Sequence, residues 1–231
     1  MAGSVEAGGQ LVPRFSAASR LAHWALALPF LVLLATGLLL FVPPIKAVHL
    51  GGYRLVPLIH VIAGGVFLVV APLVWLAAPG RRALCQDLRR LLSPAAGDGA
   101  WLRYAGYALL GAKLTAPPAG KFNAGQKLNA AALLLLSAGL GLSGVVLGIN
   151  FFTKAVFAAA FVERVFPLHD LLMLLALPLI AGHLYLAAVN PSTRPSLRGM
   201  LDGRVRREWA ATHHALWLAE IEARQEPAGR D

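Results

Sequence analysis

The sequence predicts an all-α protein of the membrane: a four-helix bundle of four transmembrane helices, with amphipathic helices on its cytoplasmic side. Three observations predict it. Residues of the AVILMFWYC set make up 58% of the 231 and only 14% are charged, whereas a soluble domain carries about a quarter charged. The apolar residues collect in four runs, residues 21–42, 55–78, 128–149 and 165–189, each long enough to cross a hydrocarbon core of about 30 Å as a helix. The strict alternation of a membrane-barrel strand is absent, so helices are left as the way to satisfy the backbone in lipid. The chain 1–231 reads as one membrane domain.

Taken in order, residues 1–10 read as disordered, as do residues 227–231 at the other end. The first run starts about twenty residues in, is too long for the core of a signal peptide, and is followed by Pro43-Pro44 without a small-residue cleavage pattern; it is expected to stay as a span. Short loops join the spans except for residues 80–127. There "RRALCQDLRRLLSP" places Leu84, Leu88, Leu91 and Leu92 among arginines, the spacing of a basic amphipathic helix on a membrane surface. The stretch after it ends in turn-rich polar sequence. Run three carries Ser137, Gly141, Gly144 and Gly148 on one face, a surface for close helix packing. Within the tail 190–231, residues 196–226 read as another amphipathic helix, with Trp209, Leu216 and Ile221 among charges.

The net charge of +10 follows the loops. The N-terminal arm, residues 80–127 and the tail hold seventeen of the lysines and arginines, and the two remaining loops hold Lys46, Arg54, Lys154 and Arg164. The positive-inside rule therefore puts both termini and residues 80–127 in the cytoplasm. A nucleic-acid partner is not expected, since the charge tracks topology and no recognition motif accompanies it. Membrane lipid is the expected surrounding. The single cysteine, Cys85, excludes a disulfide framework and a Cys-ligated iron–sulfur cluster within the chain.

Four of the seven histidines lie in the apolar runs: His23, His60, His169 and His183. Ionisable groups inside a membrane are costly and tend to be paired and functional. By the topology above, His23 and His183 lie near the inner surface, and His60 and His169 near the outer one. Two neutral imidazoles complete six-coordinate haem iron. His169 and His183 are fourteen residues apart, about 21 Å along a helix and within roughly 40° of one face, so they read as ligands to two different haems. Gly37 is fourteen residues after His23, Gly64 is one turn after His60, and Gly182 adjoins His183; each reads either as room for a porphyrin or as ordinary helix glycine. Pro178 is expected to kink the last span slightly. Arg20, three residues before His23, stands either as the partner of a haem propionate or as a topology charge. His49 reads as a solvated loop residue, and His213 and His214 as exposed on the tail. The two depths leave no tetrahedral zinc set.

The pieces "RFSAASRLAHW", "LIHVIAGGVF", "GKFNAGQKLN", "LHDLLMLLALPLIAGHLYLA" and "SLRGMLDGRVRREWAATHHALW" resemble the gamma, or cytochrome b, subunit of membrane-bound respiratory formate dehydrogenase. "AGQK" and the tail with its double histidine are the most specific, and the resemblance runs from about Arg14 to Glu222. It implies an electron-transfer, quinone-reducing subunit of the bacterial inner membrane that does not itself oxidise formate. Its partners would be an iron–sulfur (beta) subunit and a molybdenum or tungsten catalytic (alpha) subunit, with a higher oligomer of the complex left open. Its cofactors would be two haem b, with menaquinone or ubiquinone as acceptor. Carried residue by residue, His60 and His169 match the outer haem ligands and His23 and His183 the inner ones. Asn123 and Gly125 match the quinone pocket, with Gln126 nearby. Asn123 reads equally as a cap on the third span. Asp170, directly after His169, departs from the apolar or small residue expected there. The b-type cytochrome of a hydrogenase or another periplasmic dehydrogenase is the alternative within electron transfer. A proton-relaying transporter and a haem-free anchor are alternatives outside it; the first lacks broken-helix repeats and paired acids.

Overall fold

The computed structural model describes residues 9–153 and 156–225. Four helices are long and apolar enough to cross a membrane. They are α1 (Ala17–Leu39), α3 (Leu55–Ala77), α6 (Ala124–Thr153) and α7 (Ala159–Leu184), the last running on through a wide π-type turn to Val189. Their apolar side chains face outward: Leu28, Val69, Leu135, Leu142 and Leu174 are all exposed, which suits lipid rather than water. The all-α bundle expected from the apolar runs is what the helices form.

The chain divides into two compact units. One contains Ala17–Arg81 and Ala132–Leu184, and so holds α1, α3, most of α6 and α7. Here α1 packs along α3. The small residues of α6 meet specific neighbours. A Cβ on Gly141 would lie 3.1 Å from Leu68 Cδ2 and one on Gly148 3.3 Å from Val61 Cγ1, so glycine lets α6 close on α3. A short helix α2 (Pro43–Lys46) and a hairpin of β2 (His49–Leu50) with β3 (Tyr53–Arg54) join α1 to α3. The hairpin turns at Gly51, which has φ +58°, a conformation that favours glycine. His49 is exposed in it.

The other unit gathers the N-terminal arm to Ser16, Arg82–Ala131 and the chain from Tyr185. It contains almost all of the amphipathic helix α4 (Arg81–Leu92), then α5 (Asp98–Leu109) and three short helices of the tail, α8 (Leu197–Leu201), α9 (Arg207–His213) and α10 (Ala215–Ala223). β1 (Leu11–Pro13) pairs antiparallel with β4 (Arg204–Arg206). Its core is Val12, Val205, Ala210, Trp217 and Leu218.

Three expectations change here. The tail is not one amphipathic helix: Gly203, with φ +87°, turns the chain into β4, and the helices restart after it. The apolar side chains that the tail buries are Val205, Ala210, Trp217 and Leu218, while Leu216 is 57% exposed. His214 is 1% exposed rather than solvated, because it sits at the joint between α9 and α10 and points into this core. Of the ends read as disordered, residues 1–8 and 227–231 lie outside the described residues, while the Gln10 carbonyl accepts the Arg207 N–H at 2.8 Å.

Candidate functional site

The four intramembrane histidines fall into two pairs. The rings of His23, on α1, and His183, on α7, have centroids 6.2 Å apart and planes at 61°. Those of His60, on α3, and His169, on α7, are also 6.2 Å apart, with planes at 79°. The depth pairing expected from spacing is therefore the pairing of the rings. α7 is continuous from Ala159 to Leu184 with Pro167 and Pro178 inside it, so its two histidines are separated by about 21 Å of helix.

These pairs fit a metal between them. Two imidazoles that held one metal from opposite sides, each through a bond of about 2 Å continued by about 1.2 Å from ring nitrogen to ring centre, would stand about 6.3 Å apart between centres. Both pairs have that separation without any change of backbone. Groups of three or more His, Cys, Asp or Glu suited to a metal ion are absent among the described residues; each pair offers two imidazoles.

The His60–His169 pair has supports that the sequence reading missed. Thr36 Oγ1 lies 2.8 Å from His60 Nδ1, and Ser143 Oγ lies 2.8 Å from His169 Nδ1. Glycines follow both hydroxyl residues. A Cβ on Gly37 would be 3.5 Å from His60 Cε1, and one on Gly144 3.6 Å from His169 Cε1. Gly37 thus lies beside the His60–His169 pair. The signal for the hydroxyls was present but weak: a polar residue before a glycine in two separate spans. Gly64 meets only Leu33 Cδ2, at 3.8 Å, and a Cβ on Gly182 would meet nothing within 4 Å. Beside the other pair, Trp24 stands edge-on to His23 at 5.3 Å. Arg20 lies one turn before His23 on α1 and is half-buried.

The residues of "NAGQK" build the start of α6. Asn123 Oδ1 accepts the Gln126 N–H at 2.9 Å, and Gln126 Oε1 accepts the Asn123 N–H at 3.0 Å. This is a reciprocal capping box. It leaves the two N–H donors of the Asn123 amide without a partner among the described residues. The space over Gly125 is taken by Trp101, whose Cη2 and Cζ3 would lie 2.8 Å from a Cβ there. Trp101, Phe122 and Asn123 line a cavity of about 300 Å³, together with Asp98, Lys127 and Glu220, at the small end of ligand sites. The acids are matched by bases: Lys127 Nζ bonds Asp98 at 2.9 Å, and Arg90 bonds Glu220 at 2.6 Å.

The loop carrying these residues is held by a clasp that the sequence reading did not foresee. His214 Nδ1–H donates to Gly120 O at 2.7 Å. Its Nε2 accepts from Arg14 Nη2 at 2.9 Å, which also donates to Lys121 O at 2.8 Å. The Arg14 guanidinium lies 5.1–5.3 Å from the ring centres of Phe15, Trp209 and Trp217, close enough for cation–π attraction. Burial lowers the Arg14 pKa to about 9, opposed by Asp87. Burial, and then the Arg14 charge, push that of His214 down to about 3. Lys121 pairs with Asp87. At neutral pH the clasp is a charged guanidinium donating to a neutral imidazole.

A family model described as prokaryotic cytochrome b561 matches residues 14–203. The formate dehydrogenase, nitrate-inducible, cytochrome b556(Fdn) subunit of Escherichia coli (strain K12) is 31% identical over 103 residues, 45% of this chain and 46% of that protein. The subunit of that name from Shigella flexneri matches to the same extent. The formate dehydrogenase cytochrome b556 subunit of Haemophilus influenzae is 26% identical over 204 residues, 87% of this chain and 80% of that one. The chain spans about half the length of the Escherichia coli and Shigella relatives and most of the Haemophilus one.

Proposed function

The chain belongs to the prokaryotic cytochrome b561 family, and from that premise we propose that it is the di-haem cytochrome b subunit of a membrane-bound formate dehydrogenase, relaying electrons from a periplasmic iron–sulfur subunit to a quinone near the cytoplasmic face. The family implies haem b, which supplies an iron centre that takes up and releases single electrons. The observation that carries the proposal is the presence of two histidine pairs, each with 6.2 Å between ring centres. His60 and His169 would hold the outer haem, and His23 and His183 the inner one, with Arg20 placed for an inner-haem propionate. The relatives from Escherichia coli and Haemophilus support formate dehydrogenase as the complex, and its iron–sulfur and molybdenum or tungsten subunits as partners.

The orientation rests on charge and packing. The N-terminal arm, Arg82–Ala131 and the tail form one compact unit, so they share a side, and the fifteen basic residues of these segments favour the cytoplasm. The quinone reading rests on the cavity at Asn123. The Asn123 amide offers a neutral donor to a quinone carbonyl, and Trp101 offers a flat apolar wall. Gln126 and Gly125 act one step back: the first completes the cap, and the second lets Trp101 come down onto α6. The Asp98 and Glu220 carboxylates at the cavity lie where protons from the cytoplasm would enter. An electron drawn inward across about 100 mV involves about 2.3 kcal/mol, so proton uptake on the inner side conserves energy.

The test is a haem count with spectroscopy on the purified full-length protein. Two low-spin b-type haems per chain are expected. His60→Ala or His169→Ala should remove one signal, and His23→Ala or His183→Ala the other. A fully assembled preparation with one haem per chain would overturn the pairing. A tagged chain should also bring down formate-oxidising activity from membranes, and recovery of a different dehydrogenase would reassign the donor.

A further inference from the structure

Each imidazole of the His60–His169 pair rests on a two-residue step of a neighbouring helix, a hydroxyl residue followed by glycine. His60 meets Thr36 and Gly37 of α1, and His169 meets Ser143 and Gly144 of α6. Two different helices thus present the same chemistry to the two rings. A hydroxyl has one proton to give. Thr36 Oγ1 directs its proton to Val32 O, at 2.7 Å, with Leu33 O at 3.2 Å. Ser143 Oγ does the same toward Gly139 O, at 2.8 Å, with Leu140 O at 3.2 Å. These are bonds back to the preceding turn, a usual use of a helical Ser or Thr. Each oxygen is left with a lone pair facing the imidazole, so the imidazole is the donor and Nδ1 carries the proton. The lone pair of a neutral imidazole is then on Nε2, the nitrogen free to bind a metal.

We propose that Thr36 and Ser143 are positioning residues for the outer haem: their hydroxyls hold His60 and His169 in the Nδ1–H tautomer with the ring planes crossed at 79°. The proposal rests on the haem-relay reading. The hydroxyl fixes ring rotation from one edge, and the glycine step flanks the Cε1 edge. Two consequences follow. The crossed planes are set by α1 and α6, which carry no ligand of this haem, rather than by the ligand helices. An acceptor behind each Nδ1–H makes the imidazole more basic, which favours the oxidised iron and lowers the outer-haem potential.

Four variants of the full-length protein test this: Thr36→Val and Ser143→Ala, which remove the hydroxyl, and Thr36→Ser and Ser143→Thr, which keep it. The outer-haem signal is identified as the one lost in His60→Ala. The readouts are the low-field g value of that haem, which responds to the angle between imidazole planes, and its midpoint potential in an equilibrium titration. In Thr36→Val and Ser143→Ala we expect the outer g value to move and the outer potential to rise, with the inner haem unchanged. Thr36→Ser and Ser143→Thr should restore both. Loss of the outer haem in Thr36→Val with retention in Thr36→Ser would equally bear the proposal out. Unmoved signals at full haem content, or loss in both members of a pair of variants, would overturn it. A wild-type protein without an outer bis-histidine haem would overturn the relay reading along with it, and is recognised before any substitution is made.

Discussion

At the scale of single residues, the cap that Asn123 forms and the quinone contact proposed for it can be separated by chemistry. Its Oδ1 caps α6 by accepting the Gln126 N–H, and its amide N–H groups face no protein partner among the described residues. Serine is as good a cap as asparagine but lacks the amide donor. Asn123→Ser should therefore leave both haems bound and the fold as stable as the wild type. Electron passage to quinone per bound haem should fall by roughly tenfold, the worth of one hydrogen bond of about 1–1.5 kcal/mol in a transition state. An unaltered rate would take Asn123 out of the quinone site and leave it as a cap alone. Gly125 illustrates the same distinction between residue type and reason. Its lack of a side chain is used here by Trp101, whose ring edge lies 2.8 Å from where a Cβ would be.

At the scale of elements, α7 is the organising piece. It supplies one histidine to each pair, and its fourteen-residue spacing returns them to nearly the same face. The pairing depends on that phase. Inserting one alanine after Leu175, between the two histidines, turns one ligand about 100° away from the other. The haem content should fall from two to one per chain while the protein still inserts; retention of two haems would mean that the phase of α7 does not matter. α6 contributes no ligand, yet it is placed as closely as the ligand helices. Gly141 and Gly148 seat it on Leu68 and Val61, and between them Ser143 and Gly144 reach His169. The row of small residues read from sequence as a packing face includes Gly144, which lies beside His169.

At the scale of the whole molecule, three segments distant in sequence meet in one unit, which requires them to be on one side of the membrane. Reporter fusions after residue 47 and after residue 158 should report the periplasm, and a fusion after residue 112 the cytoplasm. The opposite pattern would invert the topology. The unit also has a defined response to acid. His214 is neutral when folded, with its pKa pushed down to about 3 by burial and by Arg14, whereas in the unfolded chain it titrates near its ordinary value of 6.5. Between those values the unfolded chain holds a proton that the folded chain does not. Stability therefore falls as the pH drops from about 6.5 toward 3, at up to about 1.4 kcal/mol per pH unit from this one group. Arg90 holds the Glu220 carboxyl below its ordinary range, which adds to the loss in the same direction. Thermal unfolding followed by fluorescence of Trp209 and Trp217 between pH 7.5 and 5 measures this. His214→Gln, which stays neutral throughout, should flatten the slope; an equally steep slope in that variant would assign the acid response elsewhere.

The four helices and which of the four histidine rings lie together were legible in the sequence, because a span is set by the length of an apolar run and position along it follows from counting residues on a rigid helix. The amphipathic α4 was legible for a similar reason: its leucines and arginines alternate with the helix period, and no distant partner is needed to see it. What the sequence did not disclose are the partners of polar groups. Thr36 and Ser143 look like ordinary small residues of membrane helices until α1 and α6 bring their hydroxyls to His60 and His169. His214 looks like a solvated tail residue until Arg14, two hundred residues earlier, closes on it. Hydrophobic periodicity is a property of neighbours in the chain and survives without a fold. A hydrogen bond is short and directional, and between such distant residues it exists only once tertiary packing has set both ends within 3 Å.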